Sequence, residues 1–219
     1  GTRRERRAVK TVRLGAGAGF GGDRIEPAVE LARYGGLDVA GAVIVATIRS
    51  IKHNAGVAKA DLAAENVAAL EAGIANLERH VENVRKFGVT PVVALNRFAT
   101  DTQAELAYVK QWAQERGVAL AEADVWSAGG DGAIELAQTL LDNLVEGNSH
   151  PLYDPADGVE HSIATIAREI YRADDVQYSA AALKDLQTLK DNGFDTLPVC
   201  ISKTQYSFSD DPARLGAPT

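Results

Sequence analysis

The residues of this chain best suited to chemistry lie just after apolar runs. In PVVALNRFATDT, residues 91–102, a β-branched run gives way to Asn96, Arg97 and Phe98, then to Thr100, Asp101 and Thr102. In DVWSAGGDGAIELA, residues 124–137, Trp126 precedes a glycine-rich turn. A large aromatic at a strand exit lands on the rim of a sheet, and open α/β folds bind ligands at the carboxyl ends of their strands. Two such aromatics on neighbouring strands can hold a flat heterocycle, with stacking worth about 0.5–1.5 kcal/mol per aromatic pair beyond burial. The plainer alternatives are Phe98 packing over the strand ends and an ordinary helix N-cap at Asp101 or Thr102.

Two further segments bring polar groups to strand exits. In ATIRSIKHNAGV, residues 46–57, Arg49, Lys52 and His53 follow the apolar run AVIVATI and suit an anionic group such as a carboxylate tail or a phosphate; a solvated loop is the alternative. In ISKTQYSFSDDP, residues 201–212, Lys203, Thr204, Gln205 and Tyr206 are denser in polar side chains than a plain turn needs, which suggests nucleotide or substrate contacts. Asn96-Arg97 through Asp101 also bears on base recognition of the GTPase type, where Asn-Lys-x-Asp follows a strand, but here the aspartate comes two positions late. The four histidines, His53, His80, His150 and His161, show no ligand spacing and argue against a protein-held metal; His80 reads as part of a solvated helix face. The single cysteine, Cys200, sits in the apolar run LPVCISK and reads as a core thiol, and no G-x-S-x-G elbow or Cys/His pair suggests a covalent nucleophile.

These clusters need a sheet to position them. Strands are expected near 11–14, 42–48, 91–96, 118–123 and 197–202, with helices near 24–34, 62–87, 102–116, 132–145, 159–172 and 179–192. The alternation predicts an α/β fold with a mainly parallel sheet flanked by helices, and a C-terminal helical pair with a strand. Residues 1–40 read as a strand, glycine loop and helix, to which the resemblances below imply a different origin, 41–147 as an α/β segment carrying the site, and 148–219 as a helical segment with its strand. Gly17, Gly19 and Gly22 satisfy G-x-G-x-x-G, yet the acidic residue a dinucleotide site needs at the second strand's end is missing, since Asp38 precedes that strand.

A net charge of −7 and a pI near 5.2 disfavour a general nucleic-acid binder. The basic run RRERR with Lys10 and Arg13 reads as a solvated tail, with a localisation signal or nucleic-acid contact as the alternative. A lone cysteine allows no intramolecular disulfide, and no apolar run approaches the roughly 18 residues of a membrane span, so a cytoplasmic protein with no membrane partner is expected.

From Gly41 to Thr219 the chain resembles formate–tetrahydrofolate ligase. The resemblance rests on AVIVATIRSIKHNAGV, ENVAALEAGIANLERHVENVRKFGVTPVVALNRFATDT, VWSAGGDGAIELA and IATIAREIYRADDVQYSAAALKDL followed by LPVCISKTQYSFSDDP, in the family's order. It implies a P-loop NTPase-like fold, with formate, tetrahydrofolate and ATP with Mg²⁺ as substrates and cofactor, and Phe98 and Trp126 sandwiching the pterin ring. A homo-oligomer is compatible with it. Ala99 stands where the family usually has proline, and the sequence holds no G-x-x-x-x-G-K-[ST] phosphate loop, which implies a fragment; a non-catalytic folate-binding remnant and a nucleotide-binding module are the alternatives. The segment VRLGAGAGFGGDRIEPAVELARYGGLD, ahead of Gly41, resembles the start of the acyclic terpene utilisation family.

Overall fold

In the computed structural model the described residues are 13–16, 29, 32, 35–201, 208 and 213–218. Four parallel strands form one sheet in the order β1 (Arg13–Ala16), β2 (Ala42–Ala46), β3 (Pro91–Asn96) and β4 (Ala119–Ala123). Between β2 and β3 run α1 (Ile48–Asn54) and the long α2 (Val67–Lys86); α3 (Gln103–Glu115) links β3 to β4. Beyond β4 come the short α4 (Val125–Ala128) and then α5 (Ile134–Asp142), α6 (Val159–Glu169) and α7 (Ala180–Asp191).

The register divides the sheet into two faces. Ile44 pairs with Val93, and Ala46 with Leu95, and all four lie in the main core with Leu70, Leu77 and Val84 of α2 and Leu106 and Val109 of α3. Val92, Ala94, Ala121 and Ala123 alternate to the other face and are also buried, where α5 packs on β4 and β3. Coverage on both faces is why β3 is apolar at every position from Val92 to Leu95, as a parallel strand must be. Tyr153, Ile166 and Ile170 enter the same core, so the segment after residue 148 packs on α2.

Three expectations are corrected. The helix expected from residue 62 begins at Val67, because the Asn66 side chain accepts from the Ala69 N–H at 2.9 Å and caps it there, after a separate 3-10 turn at Lys59–Asp61. No strand forms over 197–201: Pro198 has no N–H to donate, and the N–H of Val199 donates to Tyr153 Oη at 2.9 Å instead of to a ladder. Cys200 is consequently exposed and not a core thiol. The helix expected at 24–34 lies mostly outside the described residues, as do Gly17, Gly19 and Gly22.

Candidate functional site

Three strand exits stand side by side. After β2, Thr47 caps α1 in a reciprocal box: its Oγ1 accepts from the Ser50 N–H at 2.9 Å and Ser50 Oγ accepts from the Thr47 N–H at 3.1 Å. After β3 the ladder extends by one bond, Arg97 N–H to Ala123 O at 3.0 Å, before the chain turns. The turn closes on itself, with the Asp101 N–H donating to Phe98 O at 3.0 Å and Asp101 Oδ2 accepting from the Phe98 N–H at 2.8 Å. After β4, Asp124 caps α4 by accepting from the Ser127 N–H at 3.3 Å, and Gly132 folds back so closely that a Cβ there would lie 2.2 Å from Asp124 O.

Phe98 and Trp126 therefore leave adjacent strands just past their last ladder bonds. Trp126 is 95% exposed and Phe98 38% exposed. An indole that bare, on a short helix, is an apolar surface left without a partner among the described residues. On the β2 side, the Arg49 guanidinium lies 4.6 Å from the Phe98 ring centroid and its Nη2 donates to Thr100 Oγ1 at 3.1 Å. Arg97 pairs with Glu122 of β4 at 3.2 Å, and Glu122 also binds Lys110. Burial is the main effect on the Asp101 carboxyl and raises it above the ordinary range; the neighbouring Glu105 charge adds to this, against the Phe98 N–H and the Arg49 and Lys52 charges.

The family profile described as formate–tetrahydrofolate ligase matches residues 12–219. The chain belongs to this family. Curated formate–tetrahydrofolate ligases to which it is similar include those of Corynebacterium diphtheriae, 54% identical over 203 residues, and Staphylococcus aureus, 50% identical over 205 residues. Each alignment covers 92% of this chain but only 37% of the relative. The chain thus spans little more than a third of the length of these ligases, and the match to the family takes in β1.

Within this ligase-family segment, the predicted site residues part company. Phe98, Trp126, Arg49, Arg97 and Asn96 gather at the strand exits, Asn96 as the last residue of β3 opposite Ala123. Lys52 is drawn away from solvent: it is 1% exposed, its Nζ 2.7 Å from Glu105 Oε1, and it also donates to Ala64 O at 2.9 Å. His53 Nδ1 sits 3.3 Å from Val57 O at the end of α1. Lys203, Thr204, Gln205 and Tyr206 lie outside the described residues. His80, read as solvated, is buried, its ring centroid 4.7 Å from that of Phe208.

Glu105 is the residue sequence reasoning passed over. Its carboxylate accepts from Lys52, from the Asn66 N–H at 2.9 Å and from the Thr102 N–H at 3.2 Å, tying α1, the start of α2 and the start of α3 together beneath the Phe98 turn. Burial, the largest single influence, would raise this carboxyl; the Lys52 and backbone hydrogen bonds with the Lys52 charge outweigh it and hold it below the ordinary range. The signal was present as Thr102-x-x-Glu105, a capping box.

A cleft of about 250 Å³ lies at the opposite, amino ends of β3 and β4, lined by residues including Arg85, Thr90, Asn143 and Asn148. Among the described residues no group of three His, Cys, Asp or Glu side chains gathers to hold a metal, and no helix is long and apolar enough to cross a membrane.

Proposed function

We propose that this chain is the pterin-holding part of a ligase that joins formate to tetrahydrofolate with ATP and Mg²⁺, giving 10-formyltetrahydrofolate. The observation that carries this reading is the pair of aromatics on adjacent strand exits, above all the bare indole of Trp126. A flat ring laid against Phe98 and Trp126 buries apolar area that the fold leaves open. Arg97, held by Glu122, and Arg49, against Phe98, make the surroundings of that ring cationic, which suits the anionic parts of the reactants. In the proposed reaction formate is activated as formyl phosphate, and the folate amine attacks the mixed anhydride and displaces phosphate. Holding the amine in place turns an encounter into an intramolecular step, which is the share of catalysis a binding platform contributes.

The sequence contains no G-x-x-x-x-G-K-[ST] loop, so its residues include no phosphate cradle of that kind. The chain by itself is expected to bind tetrahydrofolate without forming product. The nucleotide-base alternative fits less well, because the Asp101 carboxylate that would read a base already accepts from Phe98 within its own turn.

The test is a titration of tetrahydrofolate followed by intrinsic fluorescence, comparing the chain with Trp126→Ala, in which the buried Trp112 is the remaining indole. Saturable quenching that vanishes in the variant is the expected result. Folded protein with no saturable change, or quenching that persists in Trp126→Ala, would refute it.

A further inference from the structure

Phe98 stands between two neighbouring strand exits, that of β2 with Arg49 and that of β4 with Trp126. Phe98 leaves β3, which lies between β2 and β4. Arg49, on the helix that follows β2, covers one face of the Phe98 ring at 4.6 Å. Trp126, on the helix that follows β4, stands on the other side of that strand. A phenyl ring has two faces, and with Arg49 over one of them the other is the face a planar ligand would share with Trp126.

Arg49 is held tightly enough to act as a backstop. Its Nη2 is tethered to Thr100 in the turn that follows Phe98, at 3.1 Å. Its own helix is pressed against α2 at Gly73, where a Cβ would lie 2.0 Å from Ile51 O. Its Nε is buried and, among the described residues, has no hydrogen-bond partner, so water does not draw the guanidinium away from the ring.

Resting on the pterin reading, we infer that Arg49 is a positioning residue: it fixes the Phe98 ring from behind, through stacking and the Thr100 tether, so the opposite face is already set when tetrahydrofolate arrives. A ring ordered in advance spares the ligand the entropy of ordering it. Arginine is the suitable residue because its planar fork can stack on an aromatic and donate in its own plane at once, which an ammonium cannot.

The experiment uses the full chain and two readouts. In the tetrahydrofolate titration read at Trp126, Arg49→Ala weakens binding by about fivefold to tenfold, Thr100→Val by about twofold to threefold, and Arg49→Lys fails to restore wild-type affinity. Without ligand, 4-fluorophenylalanine is incorporated and the Phe98 resonance assigned with Phe98→Leu; Arg49→Ala shifts and sharpens that resonance and leaves the one from buried Phe87 in place. Unchanged affinity in folded Arg49→Ala overturns the inference, as does tighter binding, which would make Arg49 a competitor for the ring. An unaltered fluorine resonance sinks the part played by Arg49 alone, whereas a wild-type chain that shows no saturable quenching sinks the pterin reading itself.

Discussion

Replacing Glu105 by glutamine should destabilise the chain far more than a surface change of the same size. The carboxylate is 0% exposed and Lys52 is 1% exposed, so water cannot substitute for either partner. Glutamine keeps one acceptor oxygen but puts an NH₂ where the second oxygen stood. The donors at 2.7 Å (Lys52 Nζ), 2.9 Å (Asn66 N–H) and 3.2 Å (Thr102 N–H) cannot then all find an acceptor, and the ammonium loses its counter-charge in a dry site. Breaking a buried pair from one side costs about 3–5 kcal/mol. In a chain of this size each kcal/mol moves the melting temperature by about 2–4 °C, so a fall of about 6–20 °C is expected. The assay is urea and thermal unfolding followed by circular dichroism, with Lys52→Met and the double variant completing a cycle. The double variant should lose less than the two single losses added, since each single change strands the other partner. The pH dependence has a definite sign. The folded Glu105 carboxyl lies below its ordinary value, so its stabilisation is complete above the unfolded pKa of about 4.3 and is lost as pH falls through the folded value. Glu105→Gln should flatten that acid limb. A single-variant loss under about 1 kcal/mol, or additive losses in the cycle, would refute the reasoning.

Ala99 is the second residue of the turn closed by Asp101 and Phe98, the position where proline's fixed φ fits, so Ala99→Pro should stabilise by about 0.4–1 kcal/mol in urea unfolding; a loss would show that the turn needs the Ala99 N–H. Gly73→Ala should cost about 1–3 kcal/mol or more by forcing α1 off α2, and a neutral result in a thermal melt would refute the close approach. Burial raises the Asp101 carboxyl, so its ionisation lowers stability as pH rises through the raised value; Asp101→Asn keeps an acceptor for Phe98 and should gain on the wild type over that rise, as unfolding at successive pH values would read.

The sheet and most of its helices were legible because both-face burial writes itself as continuous apolar runs: Val92–Leu95 and Ala42–Ala46 needed no context to be read. Asn66 shows where periodicity falls short. The apolar pattern runs on past it from Leu62, and a single side-chain cap moves the helix start. LPVCIS looks like a strand by composition, yet Pro198 and the claim of Tyr153 on the Val199 backbone keep it out of the sheet, and that contact spans 46 residues of sequence. At the site, the aromatics were readable from their places after strands. Lys52 was misleading because its spacing beside Arg49 says nothing of the carboxylate that arrives 53 residues later.

The strand order β1-β2-β3-β4 runs one way without doubling back. In doubly wound sheets the order reverses, adjacent loops splay to opposite faces, and a crevice opens between them for the ligand. Here the order does not reverse, yet α2 and α3 return over one face while α5, after β4, packs on the other, so the exits of β3 and β4 lead to opposite sides of the sheet. On the pterin reading, the flat ring enters where these two exits part, between Phe98 and Trp126, and whatever trails from it is left on the side of the 95% exposed indole, in water.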